Sequence, residues 1–490
     1  MRLDAIKFPF NPFALGVASG SPTADGIVLW TRLVTPTGEP IGMRPNIIPV
    51  RWEVAADDRM QSVVRSGDAA ATTDLAHSVH VEADGLRPST DYWYRFTAGG
   101  QQSAVGRLRT APAPNHTMSN IKIAVASCQK YENGYYTAYG QMLADQPDLV
   151  IHVGDYIYEY ASNASSPNVR GDGSGETRTL DQYRSRYALY KSDPDLLAMH
   201  AACTWLMTWD DHEVVNDYAG DTSYDESGEK FLARRAAAYR AYYEHMPLRK
   251  TSLPNGPFMR LHQTVQFGEL LQIHMLDSRQ HRSPLACLRD GETDGPGAQC
   301  AELWNAARTK LGTEQESWLK DALAKSHAKW NLCAQGTPMA HVDLDPDPGK
   351  AYRRDSWDGY PSARQRFVDT LQTTQVKNPV VIDGDIHAFQ VADLNAQADD
   401  HRTPIIATEF TTTSITSSGV SQRALDERRA NNPNVLLSDS SRHGFLLLNV
   451  SAKNMQAELV TVDTIRSQIA QRGTLAKFAV EDGRPGAQSV

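Results

Sequence analysis

The sequence predicts an all-β sandwich followed by a layered α/β domain, and two observations support this. Residues 13 to about 110 contain short β-rich runs separated by turn signals, without helical periodicity of useful length. From residue 121 onward, continuous apolar runs are mixed with segments whose apolar residues recur at a spacing of about 3.6. We therefore expect a first domain at 1–112, a Pro-rich linker at 113–120 and a second domain at 121–490.

The first domain is expected to be a small β-sandwich of about 90 residues. Segments such as "ADGL" and "LRPST" supply the turn chemistry between its strands. The strand candidates are GIVLWTRL (26–33), PVRWEVA (49–55), HSVHVEADGL (77–86) and DYWYRFTAG (91–99).

The second domain alternates buried strands with amphipathic helices. Several of its strand candidates are apolar throughout, as expected for strands covered on both faces. They are residues 121–127, 148–153, 204–209, 270–276, 330–335, 379–384, 443–451 and 455–462. Helices are predicted at 137–145, 229–246, 314–326 and 363–372. The tail is expected to be partly ordered to residue 480 and loose beyond it.

Composition excludes several classes of protein. The 490 residues are 41% hydrophobic and 22% charged, as in a soluble globular protein. No apolar run approaches the ~18 residues of a transmembrane helix. The net charge of -9 argues against a general nucleic-acid binder. The N-terminus lacks a signal-peptide pattern, so we expect either a cytosolic protein or a mature form cut from its export signal.

The five cysteines do not form a disulfide framework. Cys287 and Cys300 close a polar, Gly-rich loop and are predicted to form a disulfide, although two free surface thiols are the alternative. A disulfide here would indicate an oxidising compartment. Cys203 and Cys333 lie in apolar runs and are expected to be inert core residues. Cys128 follows a predicted strand, where it is either a core thiol or a metal ligand.

Polar side chains follow four predicted strands, where an α/β domain places its site. Each such motif alone has an ordinary structural explanation, such as a turn or a helix N-terminus. Their recurrence at one expected edge predicts a cation site, because clustered carboxylates repel each other without cations. The strands end in Ser127-Cys128, in "GDYIYE" with Asp155 and Tyr158, in "DDHEVVND" with Asp210, Asp211, His212, Glu213 and Asn216, and in "GDIHAF" with Asp385 and His387.

The donor set suggests two different ions. A thiolate and a phenolate suit a highly charged ion such as ferric iron, whereas carboxylate and amide oxygens suit calcium, magnesium or manganese. Asp155 comes directly after a strand and could bridge the two. A pair of ions about 4 Å apart would hold phosphate oxygens and lower the pKa of a bound water.

These motifs resemble the PhoD-type alkaline phosphatases, which also include a phospholipase D and belong to the calcineurin-like metallophosphoesterases. The resemblance covers nearly the whole chain. Its motifs are ALGVASGSPTADGIVLWTRL (14–33), IAVASCQ, HVGDYIYEY, WDDHEVVND, LDSRQHR (276–282), DSWDGYPSARQR (355–366), GDIHA and ATEFTTTSIT (407–416). It implies an α/β/β/α metallophosphoesterase sandwich after an immunoglobulin-like domain.

The resemblance also implies a dinuclear centre of ferric iron and calcium, with zinc, manganese or magnesium as alternatives. Asp155 would bridge the ions, and Asp211 and Asn216 are both kept as calcium ligands, because the motif does not decide between them. The iron ligands would be Cys128, Asp155, Tyr158 and His387, and the calcium ligands Asp155, Asp211, Asn216 and Asp385.

The implied reaction is hydrolysis of phosphomonoesters and phosphodiesters by a metal-activated hydroxide. His212 would protonate the leaving oxygen, or bond to an equatorial one, and Arg279 would pair with a phosphate oxygen. A phospholipase D with the same centre is the first alternative, and a decayed binding protein the second. We expect a monomer acting on small phosphate esters, without a stable nucleic-acid partner, in the periplasm or secreted.

Overall fold

The computed structural model describes residues 7–41, 46–162, 168–171, 173–288, 300–345 and 351–490. Within them, no helix combines the length and apolar character needed to cross a membrane. The strands are β1 (Val17–Gly20), β2 (Gly26–Arg32), β3 (Ile47–Ala55), β4 (Val63–Thr72), β5 (Ser78–Asp84), β6 (Asp91–Ala98), β7 (Gln101–Gln102), β8 (Gly106–Arg109), β9 (Asn120–Ala126), β10 (Leu149–His152), β11 (Thr204–Met207), β12 (Gln263–Phe267), β13 (Leu271–Met275), β14 (Trp330–Ala334), β15 (Pro379–Asp383), β16 (Phe389–Asn395), β17 (Ile405–Thr411), β18 (Val435–Asp439), β19 (His443–Ser451), β20 (Asn454–Val462), β21 (Arg472–Glu481) and β22 (Arg484–Ser489). The helices are α1 (Thr137–Asp145), α2 (Leu180–Lys191), α3 (Pro194–Ala202), α4 (Gly228–His245), α5 (Thr313–Ala324), α6 (Pro361–Thr374) and α7 (Gln422–Arg428).

Two sheets form the centre of the molecule. The larger has the order β22-β21-β20-β19-β9-β10-β11-β1-β2-β5, and β9, β10 and β11 run parallel. The second has the order β12-β13-β14-β15-β17-β16-β18, with β13, β14, β15 and β17 parallel. Parallel strands bring their carboxyl ends to one edge, which is where ligands bind in such sheets.

The strand sequences explain a four-layered arrangement. Along β9, Ile123 and Val125 join a core that contains side chains from both sheets, such as Leu332. Ala124 and Ala126 point the other way, into a core that includes side chains of α1 to α4. Residues of α5 and α6 pack in a further cluster with side chains of the second sheet. The predicted α/β/β/α sandwich is confirmed.

The N-terminal part forms a sandwich that shares a sheet with the rest. β3, β4, β6 and β7, with β8 beside β6, make a separate sheet. Its apolar face packs against side chains of β1, β2 and β5. However, β1 also pairs in parallel with β11, so the large sheet continues into this sandwich. The all-β N-terminal fold is confirmed, and the division at residues 113–120 stays a prediction.

Some elements were not predicted, and one prediction is wrong. α2 buries Tyr183, Arg186 and Tyr187, and these partly polar side chains obscure its apolar periodicity. The tail is not loose beyond residue 480, because β22 pairs with β21. Asp482 and Gly483 form the two-residue turn between them, with φ of +72° at Gly483, and an Asp-Gly pair is a strong hairpin signal.

The cysteines lie where the sequence predicts. Cys287 and Cys300 form a disulfide, which confirms that pair. Cys203 and Cys333 are free and buried, and Cys333 belongs to the core against the second sheet. Cys128 is also free and buried, but it lies at the carboxyl end of β9 rather than within a strand.

Candidate metal centre

The carboxyl ends of β9, β10, β11 and β15 meet at one place, and two glycines permit the approach. A Cβ on Gly154, which has φ of +116°, would lie 2.5 Å from the backbone nitrogen of Asp210. A Cβ on Gly384 would lie 2.5 Å from Oγ of Ser127. Because only glycine fits both sites, each Gly-Asp motif sets its aspartate at the meeting point of the two sheets.

The backbone is strained where the predicted ligands lie. Cys128, Asp155, Asp385 and His387 have φ of 57°, 57°, 69° and 53°, in the left-handed region that residues other than glycine rarely adopt. Such conformations cost about 1–3 kcal/mol each and persist where the surrounding structure requires them, commonly at functional sites. Ten other described non-glycine residues share this conformation, so it supports the site only together with the clustering of the side chains.

The first cluster consists of Cys128, Asp155, Tyr158 and His387. Ligand atoms of Cys128, Asp155 and His387 all lie within 4.8 Å of one another. Oη of Tyr158 donates to Oδ2 of Asp155 at 2.8 Å and lies 3.0 Å from Nε2 of His387. Ser417 in turn donates to Oη of Tyr158 at 2.7 Å. All four predicted residues are thus brought together.

Because the first cluster is buried, its thiol, phenol and carboxyl groups favour their protonated forms and its imidazole favours the neutral form. Burial, and then the Asp155 carboxylate, raise the pKa of Cys128 and that of Tyr158 well above their ordinary values. Burial likewise raises the pKa of Asp155, and it lowers the pKa of His387 to about 4. A bound cation would reverse these shifts, because it stabilises the thiolate, phenolate and carboxylate.

The second cluster is acidic and consists of Asp210, Asp211 and Asp385, with Asn216 beside it. Ligand oxygens of the three aspartates lie within 4.8 Å of one another, and Asp155 forms a similar group with Asp211 and His212. Asp211 accepts backbone N–H groups of His212 and Asp217 at 3.0 and 2.6 Å.

Asp211 and Asn216 both line the cavity above the centre, so both predicted alternatives face it. The Asn216 amide nitrogen donates to Asp217 at 2.7 Å.

Two buried oxygens fit a cation. Oδ1 of Asp155 and Oδ2 of Asp385 are buried and have no hydrogen-bond partner among the described residues, although Nη1 of Arg353 lies 3.7 Å from the second. An unpartnered buried carboxylate oxygen is costly, and a metal ion is the partner that these donor types suit. The donor set thus fits metal binding at both clusters.

Arg279 follows β13, as the sequence predicts, and its guanidinium is engaged by carboxylates. It is fully buried, and its Nε and Nη2 donate to Asp210 at 2.5 and 2.8 Å while Nη1 donates to Asp355 at 2.6 Å. Its Nη2 also lies 3.6 Å from Asp211 and 3.8 Å from Asp385. The fork is therefore engaged by carboxylates, and Arg279 is not among the walls of the cavity above the centre, so its phosphate-binding role stays a prediction. This contact depends on Asp355, which is 76 residues away in sequence.

The pKa differs sharply between two aspartates of the second cluster, Asp211 and Asp385. Burial opposes the charge on Asp211, but Arg279 and His212 lower its pKa to about 2. Burial, and then Asp355, raise the pKa of Asp385 to about 6. Both side chains are therefore largely ionised near neutral pH without any metal.

His212 lies at the junction of the clusters. Its Nδ1 is 2.7 Å from Oε2 of Glu159, and its ring centroid is 4.2 Å from that of Tyr158. Burial disfavours the imidazolium, but the carboxylates of Glu159, Asp211 and Asp155 outweigh it and raise the pKa of His212 well above its ordinary value. The ring is held in one orientation and carries a proton.

The sequence assigned no role to three residues of the site. Glu159 orients His212, although it is the last letter of the quoted motif "GDYIYE". Glu213 accepts backbone N–H groups of Asp155, Tyr156 and Asp210 at 3.2, 2.6 and 2.9 Å, and so joins the loops after β10 and β11. Arg353 precedes a motif by two residues and lines the cavity, where its Nη1 lies 3.7 Å from Oδ2 of Asp385.

The cavity above the two clusters is open and polar. It offers about 350 Å³ to water and reaches both clusters. Its walls contain Asp155, Asp211, His212, Asn216, Asp217, Arg353, Asp385, Ile386, His387 and the segment 418–420. A phosphate group placed here would meet the proposed metal ligands, His212 and Arg353 together.

Comparison with known proteins gives concordant matches. Residues 123–459 match the family model "PhoD-like phosphatase", and residues 4–112 match "PhoD-like phosphatase, N-terminal domain". The chain is 42% identical to alkaline phosphatase D of Bacillus subtilis (strain 168) over 493 residues, which is 99% of this chain and 84% of the relative. A solved structure titled "Structure of PhoD" superimposes with a TM-score of 0.95 at 42% identity, over 99% of this chain and 93% of that one.

Proposed function

The chain belongs to the PhoD-like phosphatase family, and from this premise we propose that the clusters at its sheet edges hydrolyse phosphoric monoesters and diesters. That it is a phosphoric ester hydrolase follows from the family and from the similarity over nearly its whole length. One observation carries the assignment of the site. Asp155, with an unpartnered buried oxygen, lies between a thiol–phenol–imidazole cluster and a carboxylate cluster.

Two metal ions complete the proposed centre. Ferric iron would be held by Cys128, Asp155, Tyr158 and His387, whose thiolate, phenolate and imidazole suit a highly charged ion. Calcium would be held by Asp155, Asp211, Asn216 and Asp385, which offer only oxygen. When bound, such a pair of ions neutralises the phosphate charge and lowers the pKa of a metal-bound water toward neutrality.

The chain's own residues orient the ester and move the proton. Arg353 on the cavity wall offers a guanidinium to a phosphate oxygen. His212, held by Glu159 through Nδ1, has its other ring nitrogen available to donate a proton to the leaving oxygen. Arg279 acts differently from both, because it balances buried carboxylates and does not touch the ester.

Metal removal tests the proposal. Stripping the protein with a chelator should abolish hydrolysis of 4-nitrophenyl phosphate, and restoring iron and calcium together should recover it more fully than either ion alone. A tyrosinate bound to ferric iron should also colour the protein by charge transfer. Full activity of the metal-free protein would refute a metal mechanism, and a colourless active preparation would refute iron at Tyr158.

The compartment is proposed on separate grounds. The Cys287–Cys300 disulfide supports function outside the reducing cytoplasm, in the periplasm or secreted, where a phosphatase would release phosphate for uptake. Labelling of free thiols in protein taken directly from cells tests this, because a reduced pair would contradict it. A monomeric state is part of the same proposal, and sedimentation velocity measures it.

A further inference from the structure

A second cavity, here called the slot, adjoins the metal cavity. The two share Arg353, Ile386 and Val420 as common walls. The other walls of the slot are mainly apolar and include Ala340, Val342, Leu344, Ala388, Leu425 and Val435. The slot offers only about 70 Å³ to water, against about 350 Å³ in the metal cavity. It is therefore slender as well as apolar.

The shared walls determine what can enter the slot. Arg353 lies near Asp385 on the metal side and also lines the slot. An ester whose phosphate meets Arg353 can direct its carbon substituent past Ile386 and Val420 into the slot. The occupant is thus part of the substrate itself, because the slot shares these three walls with the cavity where the phosphate is proposed to bind.

Two polar groups inside the slot point to a ligand. Gln390 is 4% exposed, and its Nε2 has no hydrogen-bond partner among the described residues. Oγ of Ser438, which also lines the slot, is likewise unpartnered there. A buried donor without an acceptor is costly, so a ligand that carries one acceptor atom would stabilise this arrangement.

The charged groups of the slot favour an anionic end and an apolar body. Arg353, Arg428 and Arg429 are the cations among its walls. Asp358 adds little repulsion, because it bonds to His341 at 2.7 Å and to Arg364. Asp426 accepts from Gln422 at 3.0 Å. A polyol or sugar would bring more hydroxyls than the unpartnered groups of Gln390 and Ser438 can bond, and the others would lie against the apolar walls.

We propose that the slot receives the substituent of the phosphate ester, and that the enzyme prefers a slender one that is apolar apart from at most one acceptor atom, such as a short alkyl chain or a single aromatic ring. The proposal rests on the proposed function, because it assigns the substrate class of the same site. Selectivity arises from transfer of methylene groups from water to the walls, and the proposed metal ligands play no part in it.

Alkyl phosphates test the slot with a single variable substituent. The rate of phosphate release, as kcat/KM, should rise about two- to fourfold for each methylene from methyl to butyl phosphate. Glycerol phosphate, of similar length but with two hydroxyls, should be no better than methyl phosphate. If kcat/KM does not change along the alkyl series, or if glycerol phosphate is the preferred substrate, the assignment of the slot to the ester substituent is refuted. Failure to hydrolyse any member of the series, including methyl phosphate, would instead overturn the proposed function.

Variants locate the selectivity. Leu425→Gln should flatten the chain-length gradient and leave the rate on methyl phosphate within about twofold. Leu344→Gln, on a different segment of the wall, should do the same, and it replaces the first variant if that one fails to fold. Leu143→Gln is the matched control, because Leu143 is exposed and outside the slot, and it should keep the full gradient. A full gradient in both slot variants refutes the assignment.

Discussion

The two halves of the site differ in how the charge of their buried side chains is balanced. In the half built from Cys128, Tyr158 and His387, the thiol and phenol keep their protons and the imidazole stays neutral. Nε2 of His387 lies 3.9 Å from Oδ2 of Asp155, but the two form no ion pair while the imidazole is neutral. In the half built from Asp210, Asp211 and Asp385, Arg279 supplies a permanent cation.

This difference shows which half depends on a metal for its charge. The first half can become ionised only when a cation displaces its protons. The second half is partly balanced by an arginine before any ion binds. We therefore expect a tightly held ion in the first half and a more exchangeable ion in the second, so a mild chelator should remove calcium before iron.

The largest effect is expected where the ion alone provides the charge. Cys128→Ala should lower turnover of 4-nitrophenyl phosphate about 10⁴-fold, because it removes a metal ligand, and it should abolish any charge-transfer colour. Cys203→Ala is the matched control: a buried free thiol away from the site, whose loss should leave turnover within about twofold. Equal turnover of the two variants would show that the first half binds no essential ion.

Removing the arginine of the second half should damage the fold more than the reaction. Arg279→Met leaves buried carboxylates without their cation and should lower the free energy of unfolding by about 3–5 kcal/mol. The control is Arg366→Met, since that arginine is 38% exposed and paired with Glu316, and it should cost no more than about 1 kcal/mol. Chemical denaturation measures both.

Kinetic measurements on Arg279→Met distinguish the two roles of Arg279, phosphate binding and charge balance. A variant that keeps its stability but shows a raised KM would restore the phosphate-binding role that the sequence predicts. Added calcium should stabilise wild type and Arg279→Met alike in that case. If the arginine only balances charge, calcium should stabilise the variant more, because the ion then meets an uncompensated group of carboxylates.

The histidine at the junction should have a smaller effect. His212→Asn should lower kcat about 10²-fold without loss of either metal, because it removes a proton donor and leaves the ligands in place. Glu159→Gln should lower the pKa of His212, since Glu159 raises it, and move the alkaline limit of activity to lower pH. His262→Asn, in a separate surface cleft, is the control. Loss of metal from His212→Asn would make the histidine a ligand.

The first half was easier to predict from sequence than the second. Cys128, Asp155 and His387 follow strands that are mostly apolar and buried, and parallel strands place such residues at one edge. The layered fold follows from the same runs. The left-handed backbone conformations of Cys128, Asp155 and His387, however, cannot be predicted from the sequence, because none of the three residues is glycine.

The second half depends on contacts between distant segments. Arg279 also follows a strand, but its partner Asp355 lies in a loop between other elements, so sequence position suggested a phosphate ligand where the fold makes a buried ion pair. Arg353 escaped notice for the same reason. The slot combines residues from the segments 338–344, 386–390 and 420–438, and no local pattern joins them.

The smallest effect concerns how each half responds to pH. In protein whose first half already holds its ion, that ion keeps Asp155 ionised, and Asp211 and Asp385, the latter with a pKa of about 6, need little further deprotonation above pH 7. Calcium affinity of the protein loaded in this way should therefore be flat from pH 7 to 9 and fall as the pH drops below about 6. Cys128 and Tyr158 still carry protons at pH 9, so binding to the first half releases them and its affinity should keep rising with pH. Titration of metal-free protein with cobalt, followed by thiolate-to-metal absorption, measures the first half, and calcium calorimetry on the cobalt-loaded protein measures the second. Parallel pH profiles for the two ions would mean that the halves share one charge balance and that Arg279 does not distinguish them.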